Sequence, residues 1–328
     1  MVYATPEAIR ELTVAVDQAT EGNKLLVEAY KNMHGGHPVE VASRFLKARE
    51  NDVSRALQMI LDSLQWRIID DIDNVLSRPI EPKDTYDAIR ESIPIGMTGF
   101  CRKGRPVFVI GVGSNGLDKF PPHMYVQSHI QINEYRDKVI LPNSSRRMGY
   151  FVGTCLKIFD MTNLRISTLS DIKILSLIAT IDDLNYPEKT DTYYIANAPY
   201  IFQACWRVVR PLLHERTKRK VHVLSGCGRE ELLKVMDENV LPDFCRSDIK
   251  LEDRKTESCF SPSHPFHEEM WNYMKQEASK LKCVASSTKK TSHTAVPLPR
   301  EEEFRSSQST CHHFADNVVR EVTCSSHG

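Results

Sequence analysis

Residues 182–226 read DDLNYPEKTDTYYIANAPYIFQACWRVVRPLLHERTKRKVHVLSG, and this stretch decides the class of fold. Its β-branched and aromatic run at 193–197 (YYIAN) predicts a strand. Pro199 then opens an apolar helix, and VHVLS at 221–225 predicts the next strand. A strand, a helix and another strand in this order are typical of an α/β sheet with crossover helices.

The same alternation is present upstream. Strands are predicted at 105–112 (RPVFVIGV) and 155–161 (CLKIFDM). A helix is expected from Pro121-Pro122 to Val139, where Pro142 would stop it, and the apolar spacing predicts another helix that ends near Ile181. The region 85–250 is therefore expected to fold as one α/β domain.

Residues 1–84 contain only helical patterns and predict an N-terminal helical subdomain. The clearest helix follows Asp52, a good N-cap, with apolar residues at the spacing of one buried face. The tail, 251–328, is rich in Ser, Thr, Lys and Glu, so we expect it to be mostly disordered. Within it, 264–281 can form an amphipathic helix, which either folds back on the core or docks on a membrane or partner.

Composition excludes several classes of function. The 328 residues include 43 Lys plus Arg and 43 Asp plus Glu, so no overall field would attract nucleic acid. The sequence has neither a signal-peptide pattern nor an apolar run of about 18 residues, which predicts a cytoplasmic protein. Nine scattered cysteines without CxxC pairs indicate reduced thiols.

No pattern specifies catalysis. The sequence has no GxSxG and no metal-ligand spacing, so we expect no catalytic residue, no metal and no enzymatic activity. Gly111, Gly113 and Gly116 match GxGxxG, but the chain then runs into Pro121-Pro122 instead of opening a helix at the glycines. A dinucleotide site is therefore not favoured.

Within 182–226, an apolar helix is flanked by a charged collar. The collar consists of Glu188, Lys189, Thr217 and Lys220. Such a combination suits a ligand that is apolar at one end and anionic or hydroxylated at the other. Taken alone, a basic run after a helix is also typical of a solvated helix end, and Glu188 could belong to an ion pair that only holds the fold.

Four segments together resemble the CRAL-TRIO family, most closely its plant and fungal phosphatidylinositol transfer branch. These are FLKAREND (45–52), YPEKTDTYYIANAP (186–199), RPLLHERTKRKVHVLSG (210–226) and ENVLPDF (238–244). The resemblance implies a mixed, mainly parallel sheet that forms the floor of a hydrophobic lipid pocket. A gating helix, 200–213 here, would close this pocket.

The resemblance also implies the site residues. Those matching the family's inositol phosphate contacts are Arg49, Glu188, Lys189, Thr217 and Lys220; those of the gate and acyl pocket are Ile201, Phe202, Trp206, Val209 and Leu213. Lys189 replaces the Arg usual at its place, which keeps the charge but loses the bidentate fork. Where the family binds phosphatidylcholine through hydroxyl groups, this sequence has Met97, Phe108, Cys155 and Lys157. A choline phosphate would therefore lack its partners.

The implied function is non-enzymatic binding and intermembrane transfer of phosphatidylinositol, supporting phosphoinositide signalling and membrane trafficking. The implied partners are the phospholipid, a membrane surface contacted peripherally and reversibly, and phosphoinositide kinases, with a monomeric chain and no cofactor besides the lipid. Two alternatives stay open from the sequence: a carrier of a tocopherol or sterol on the same fold, and a scaffold that regulates a small GTPase or a lipid kinase through its surface.

Overall fold

The structure, a computed structural model, describes residues 4–112, 117–162, 164, 172–200, 202, 206, 218–246 and 258–287. It begins with four packed helices: α1 (Pro6–Thr20), α2 (Lys24–His34), α3 (Pro38–Ala48) and α4 (Val53–Ile69). As the sequence predicts, Asp52 caps α4, accepting a hydrogen bond from the backbone N of Arg55 at 2.9 Å. Ala56, Ile60 and Leu64 are fully buried, so this face holds α4 against the other three helices.

Residues 70–94 connect this layer to the sheet. The sequence indicates only a link up to residue 84, but Ile72–Ser77 forms a 3₁₀ helix, and α5 (Lys83–Ser92) follows. The buried side chains Ile72, Val75 and Leu76 pack in the same core as α5 and the sheet. The linking segment thus supplies core residues. The domain boundary at residue 84, between the helical subdomain and the α/β domain, stays a prediction.

Five described strands form one sheet in the order β1-β2-β3-β4-β5. Their bounds are β1 (Ile95–Phe100), β2 (Pro106–Gly111), β3 (Cys155–Asp160), β4 (Thr190–Ala196) and β5 (Val221–Val223). β1 is antiparallel to β2, and every other neighbouring pair is parallel. The predicted mixed, mainly parallel α/β sheet is confirmed, although β1 was not predicted.

Helices cover one face of the sheet. Their bounds are α6 (Pro122–Tyr135), a π-helical turn (Arg136–Ile140), α7 (Leu141–Met148) and α8 (Ile172–Asn185). The prediction that Pro142 stops the helix is wrong, because Pro142 lies in the first turn of α7. The π-helical turn lies directly before α7, so the proline follows a local change in the helical hydrogen-bond pattern and the path stays helical. The helical path therefore continues to Met148.

The opposite face of the sheet packs on the segment after β5. This segment contains α9 (Arg229–Leu233) and two 3₁₀ turns, Glu238–Val240 and Asp243–Cys245. Side chains at alternate strand positions, such as Val107, Val109 and Ile158, are fully buried against it. The sheet is thus buried on both faces, as parallel strands require.

A final helix, α10 (Pro265–Ser287), forms where the sequence predicts an amphipathic helix at 264–281. Phe266, Met270 and Met274 lie on one face of this helix, four residues apart. All three are buried in the core beside α5 and the sheet. Of the two interpretations of this amphipathic helix, folding back on the core is therefore the one observed. Residues 247–257 and 288–328 lie outside the described part. Among the described helices, none is both long and apolar enough to cross a membrane.

Candidate functional site

Glu188 and Lys220, two of the predicted headgroup residues, form a pair in the structure. The Nζ atom of Lys220 donates to Glu188 Oε2 at 2.7 Å and to the carbonyl oxygen of Thr190 at 3.0 Å. The parallel pairing of β4 and β5 brings these two residues together. The backbone N of Tyr193 in β4 donates to the carbonyl oxygen of Lys220, the residue just before β5, at 2.8 Å. Both side chains are mostly buried, with 13% of Glu188 and 24% of Lys220 exposed.

The backbone of Glu188 has a φ of 57°, in the left-handed region that side chains other than glycine seldom adopt. Lys189 follows directly and contacts a different part of the protein. Its Nζ atom lies 2.8 Å from Asp137 Oδ2 in the π-helical turn, and only 10% of its side chain is exposed. Two adjacent residues of the predicted set therefore serve two different clusters.

Arg49 ends α3 and is partly exposed. Its Nη1 atom donates to the carbonyl oxygen of Ala48 at 3.1 Å. Thr217 lies outside the described residues. The joint contact of Arg49 and Thr217 with the Glu188–Lys220 pair stays a prediction.

The predicted gate residues are described only in part. Phe202 and Trp206 stack, with ring centroids 5.8 Å apart, and Phe202 packs with Ile195 and Met161 beside the sheet. Ile201, Val209 and Leu213 lie outside the described residues, so the gate stays a prediction.

The residues that replace the phosphatidylcholine contacts form one region of the sheet. Met97, Phe108 and Lys157 are register partners across β1, β2 and β3, and Cys155 lies two residues before Lys157 on the same face. Phe108 and Cys155 are buried, and Lys157 is 15% exposed. No hydroxyl group of these four side chains is available to a phosphate.

A buried polar cluster surrounds Lys157, and sequence reasoning missed it. Asp182 of α8 lies 3.4 Å from the Lys157 ammonium and 2.7 Å from His129 Nε2, and it accepts from Asn133 at 2.8 Å. Burial alone would raise the pKa of Asp182, but His129 and Lys157 hold it well below its usual range. His129 and Asn133 are four residues apart in α6, a spacing that could have indicated a shared polar face.

A second buried cluster joins the N-terminal helices to α6. Arg67 of α4 donates to both carboxylate oxygens of Glu134 at 2.9 Å and also bonds Asp73. The hydroxyl of Tyr186 donates to Glu134 at 2.7 Å. Although burial would raise the pKa of Glu134, Arg67 holds it well below its usual range. Lys138 lies 3.3 Å from Glu134 Oε2, so two cations face the two carboxylates of this cluster.

Above this cluster lies a cavity of about 310 Å³ between the N-terminal helices and the sheet domain, here called the seam pocket. Its lining includes Arg44, Phe45, Asp137, Pro142, Tyr186 and Lys189. Burial and the nearby Arg44 lower the pKa of Lys189 to about 7, although Asp137 acts in the opposite direction. The pocket therefore brings two cations together in a poorly solvated place.

Comparison with known proteins finds a matching domain and several relatives. The CRAL/TRIO domain matches residues 90–245. The phosphatidylinositol/phosphatidylcholine transfer protein SFH7 of Arabidopsis thaliana is 28% identical over 248 residues, which cover 74% of this chain and 43% of SFH7. The Sec14 cytosolic factor of Schizosaccharomyces pombe is 25% identical over 234 residues, which cover 70% of this chain and 80% of that protein.

The chain spans less than half the length of some of these relatives, since the match also covers only 36% of SFH9 of Arabidopsis thaliana. Among solved structures, the crystal structure of Sfh5 aligns with a TM-score of 0.49 at 16% identity, covering 66% of this chain and 80% of Sfh5. Residues 90–245 of this chain therefore match a CRAL/TRIO domain, and the phosphatidylinositol/phosphatidylcholine transfer protein SFH7 and the Sec14 cytosolic factor are among the proteins to which the chain is similar.

Proposed function

We propose that this protein binds phosphatidylinositol and transfers it between membranes without catalysing a reaction on it. The observation that carries the proposal is the Glu188–Lys220 pair, which offers a carboxylate and an ammonium group side by side. A carboxylate accepts hydrogen bonds from ring hydroxyls, and an ammonium group donates to a phosphate oxygen. An inositol phosphate carries both kinds of group.

The lipid tails set the second requirement. A two-tailed lipid has about thirty methylenes, and at about 0.8 kcal/mol for each one its exposure to water would cost more than about 20 kcal/mol. A carrier must therefore replace the membrane by an apolar surface. The Phe202–Trp206 stack beside Ile195 and Met161 supports such a surface next to the sheet.

The proposal includes the cellular setting. The protein works in the cytoplasm as a monomer, touches membranes peripherally and transiently, and presents the lipid to phosphoinositide kinases. The names of the relatives support lipid transfer, since SFH7 and SFH9 are both phosphatidylinositol/phosphatidylcholine transfer proteins. For phosphatidylcholine, the side chains of Met97, Phe108, Cys155 and Lys157 offer no hydroxyl group at the places where the family is expected to use one.

Transfer of labelled phosphatidylinositol between vesicles tests the proposal. We expect Lys220→Met and Glu188→Gln to abolish transfer, because each removes one of the two headgroup contacts. Arg219→Met is the matched control, since Arg219 is exposed and adjacent to Lys220. Equal transfer by all three variants would refute the site.

The lipid that copurifies with the protein tests the ligand class directly. We expect mass spectrometry of the extracted lipid to find phosphatidylinositol. A sterol or a tocopherol in its place would favour the alternative carrier, which needs no charged pair.

A further inference from the structure

The seam pocket contains an imbalance of charge that the proposed lipid site does not explain. Arg44 and Lys189 line the pocket together with Asp137, and Arg136 bonds the same carboxylate. Arg136 and Lys189 share the Asp137 carboxylate, and Arg44 lies near it without an ion pair. These three cations exceed that carboxylate by two positive charges when Lys189 is protonated. Uncompensated charges in a poorly solvated place are costly, so this arrangement favours an anion.

Among the described residues that line the pocket, Arg44 is the cation that forms no ion pair. Its Nε atom is inaccessible to solvent and has no hydrogen-bond partner. Among the described residues, its guanidinium forms no ion pair with a carboxylate. Burial lowers the pKa of Arg44, although the nearby carboxylates of Asp137 and Glu40 act in the opposite direction.

The neighbouring carboxylates cannot supply the missing charge. Both oxygens of Glu134 are taken by Arg67, and Asp137 is bonded by Arg136 at 2.7 Å and by Lys189 at 2.8 Å. Glu40, which also lines the pocket, is exposed, so water screens its charge.

We propose that the seam pocket binds a phosphate monoester dianion through Arg44 and Lys189. The guanidinium of Arg44 matches two phosphate oxygens with two N–H groups, and Lys189 adds a point charge. A dianion would balance the two excess charges. The volume of about 310 Å³ suits a small phosphorylated molecule, since it lies at the lower end of the range for ligand pockets.

The seam pocket is separate from the Glu188–Lys220 pair on which the proposed function rests. Because the family resemblance also assigns Lys189 to the inositol phosphate, the variant that tests the pocket is Arg44→Gln. The two ideas fail independently. Phosphate binding that survives Lys220→Met, in a variant that has lost lipid transfer, would separate the two sites experimentally.

Thermal unfolding of the full chain tests the proposal. Glycerol 3-phosphate at millimolar concentration is expected to raise the melting temperature of the wild type, because a ligand that binds only the folded state stabilises it. Sodium chloride at equal ionic strength and glycerol are the blanks. Arg44→Gln is expected to lose the shift, whereas Arg55→Gln should keep it, since Arg55 is exposed on α4.

The melting temperature of Arg44→Gln without phosphate shows whether this variant folds. Since Arg44 has no ion-pair partner to lose, we expect Arg44→Gln to melt no lower than the wild type in phosphate-free buffer. An equal shift in the wild type and in Arg44→Gln would overturn the proposal. The absence of a shift in the wild type would overturn it if vesicle binding that requires Arg44 is absent as well.

A further measurement distinguishes a soluble ligand from a lipid headgroup. Flotation with phosphatidylcholine vesicles that contain phosphatidic acid tests the lipid source, and glycerol 3-phosphate tests the soluble one. Vesicle binding that requires Arg44, without a response to glycerol 3-phosphate, supports the same pocket with a lipid as the source. Binding of either probe that does not require Arg44 refutes it.

Discussion

Replacing Glu134 by Gln should cost the protein a large share of its stability. Glu134 is 2% exposed and accepts two hydrogen bonds from Arg67 and one from Tyr186. The substitution keeps the shape of the side chain but leaves the buried Arg67 charge with Asp73 as its remaining carboxylate. Breaking a buried ion pair typically costs about 3–5 kcal/mol. Because Asp73 is retained, we expect about 3 kcal/mol, the lower end of that range.

Urea unfolding followed by tryptophan fluorescence measures this loss. Trp66 is a local reporter, since its ring lies 6.1 Å from that of Tyr186. Glu81→Gln is the matched control, because Glu81 pairs with Lys275 at 2.5 Å but is exposed, and it should cause no measurable loss. If the two variants lose equal stability, the reasoning about the buried pair is wrong.

The same carboxylate predicts a dependence on pH. Since the pKa of Glu134 is lower in the folded protein than in the unfolded chain, its contribution is present above the unfolded value near 4.5 and is lost as the pH falls below it. Glu134→Gln should therefore flatten the acid limb of the stability curve. An unchanged acid limb would contradict the assignment.

Two other perturbations follow from the core and the seam pocket. Met270→Ala should cost about 2–5 kcal/mol in urea unfolding, because Met270 is fully buried, whereas Leu281→Ala, at an exposed position of the same helix, should cost little. Equal losses would mean that α10 does not pack as described. The lowered pKa of Lys189 means that the unfolded chain binds more protons above pH 7, so stability should rise from about pH 7 towards 10.5. Lys189→Met should not show this increase in stability with pH, because the neighbouring Arg44, Arg136 and Asp137 are unchanged. If its stability increases as much as that of the wild type, other groups cause the increase.

The sequence predicts those elements whose signal is local. The strand at 155–161, the cap at Asp52 and the helix after it each follow from residue types and spacing within a few positions. β1 was missed because IGMTGF has two glycines and little alternation. Pro142 was misinterpreted because the π-helical turn that precedes α7 was not predicted.

The candidate site shows the same limit. Glu188 and Lys220 are 32 residues apart. The sequence groups them in one charged collar and the family resemblance assigns them to one headgroup, but their direct contact depends on the parallel pairing of β4 and β5. No local pattern could have placed Lys189 next to Asp137, or Arg67 next to Glu134, 67 residues away in sequence. Buried ion pairs depend on how distant helices pack, and a single sequence does not encode this in any short spacing.

The position of α10 has a consequence for the order in which the protein folds during synthesis. Its buried residues complete a core that begins at Ile72, although the segment matching the CRAL/TRIO domain ends at residue 245. At about 5–20 residues per second, a ribosome needs about 1.5 to 6 seconds more to reach Met274. During that interval the apolar surface of α5 and the sheet that α10 covers in the finished protein is exposed to water. Nascent chains of this protein should therefore be clients of chaperones that bind exposed apolar segments.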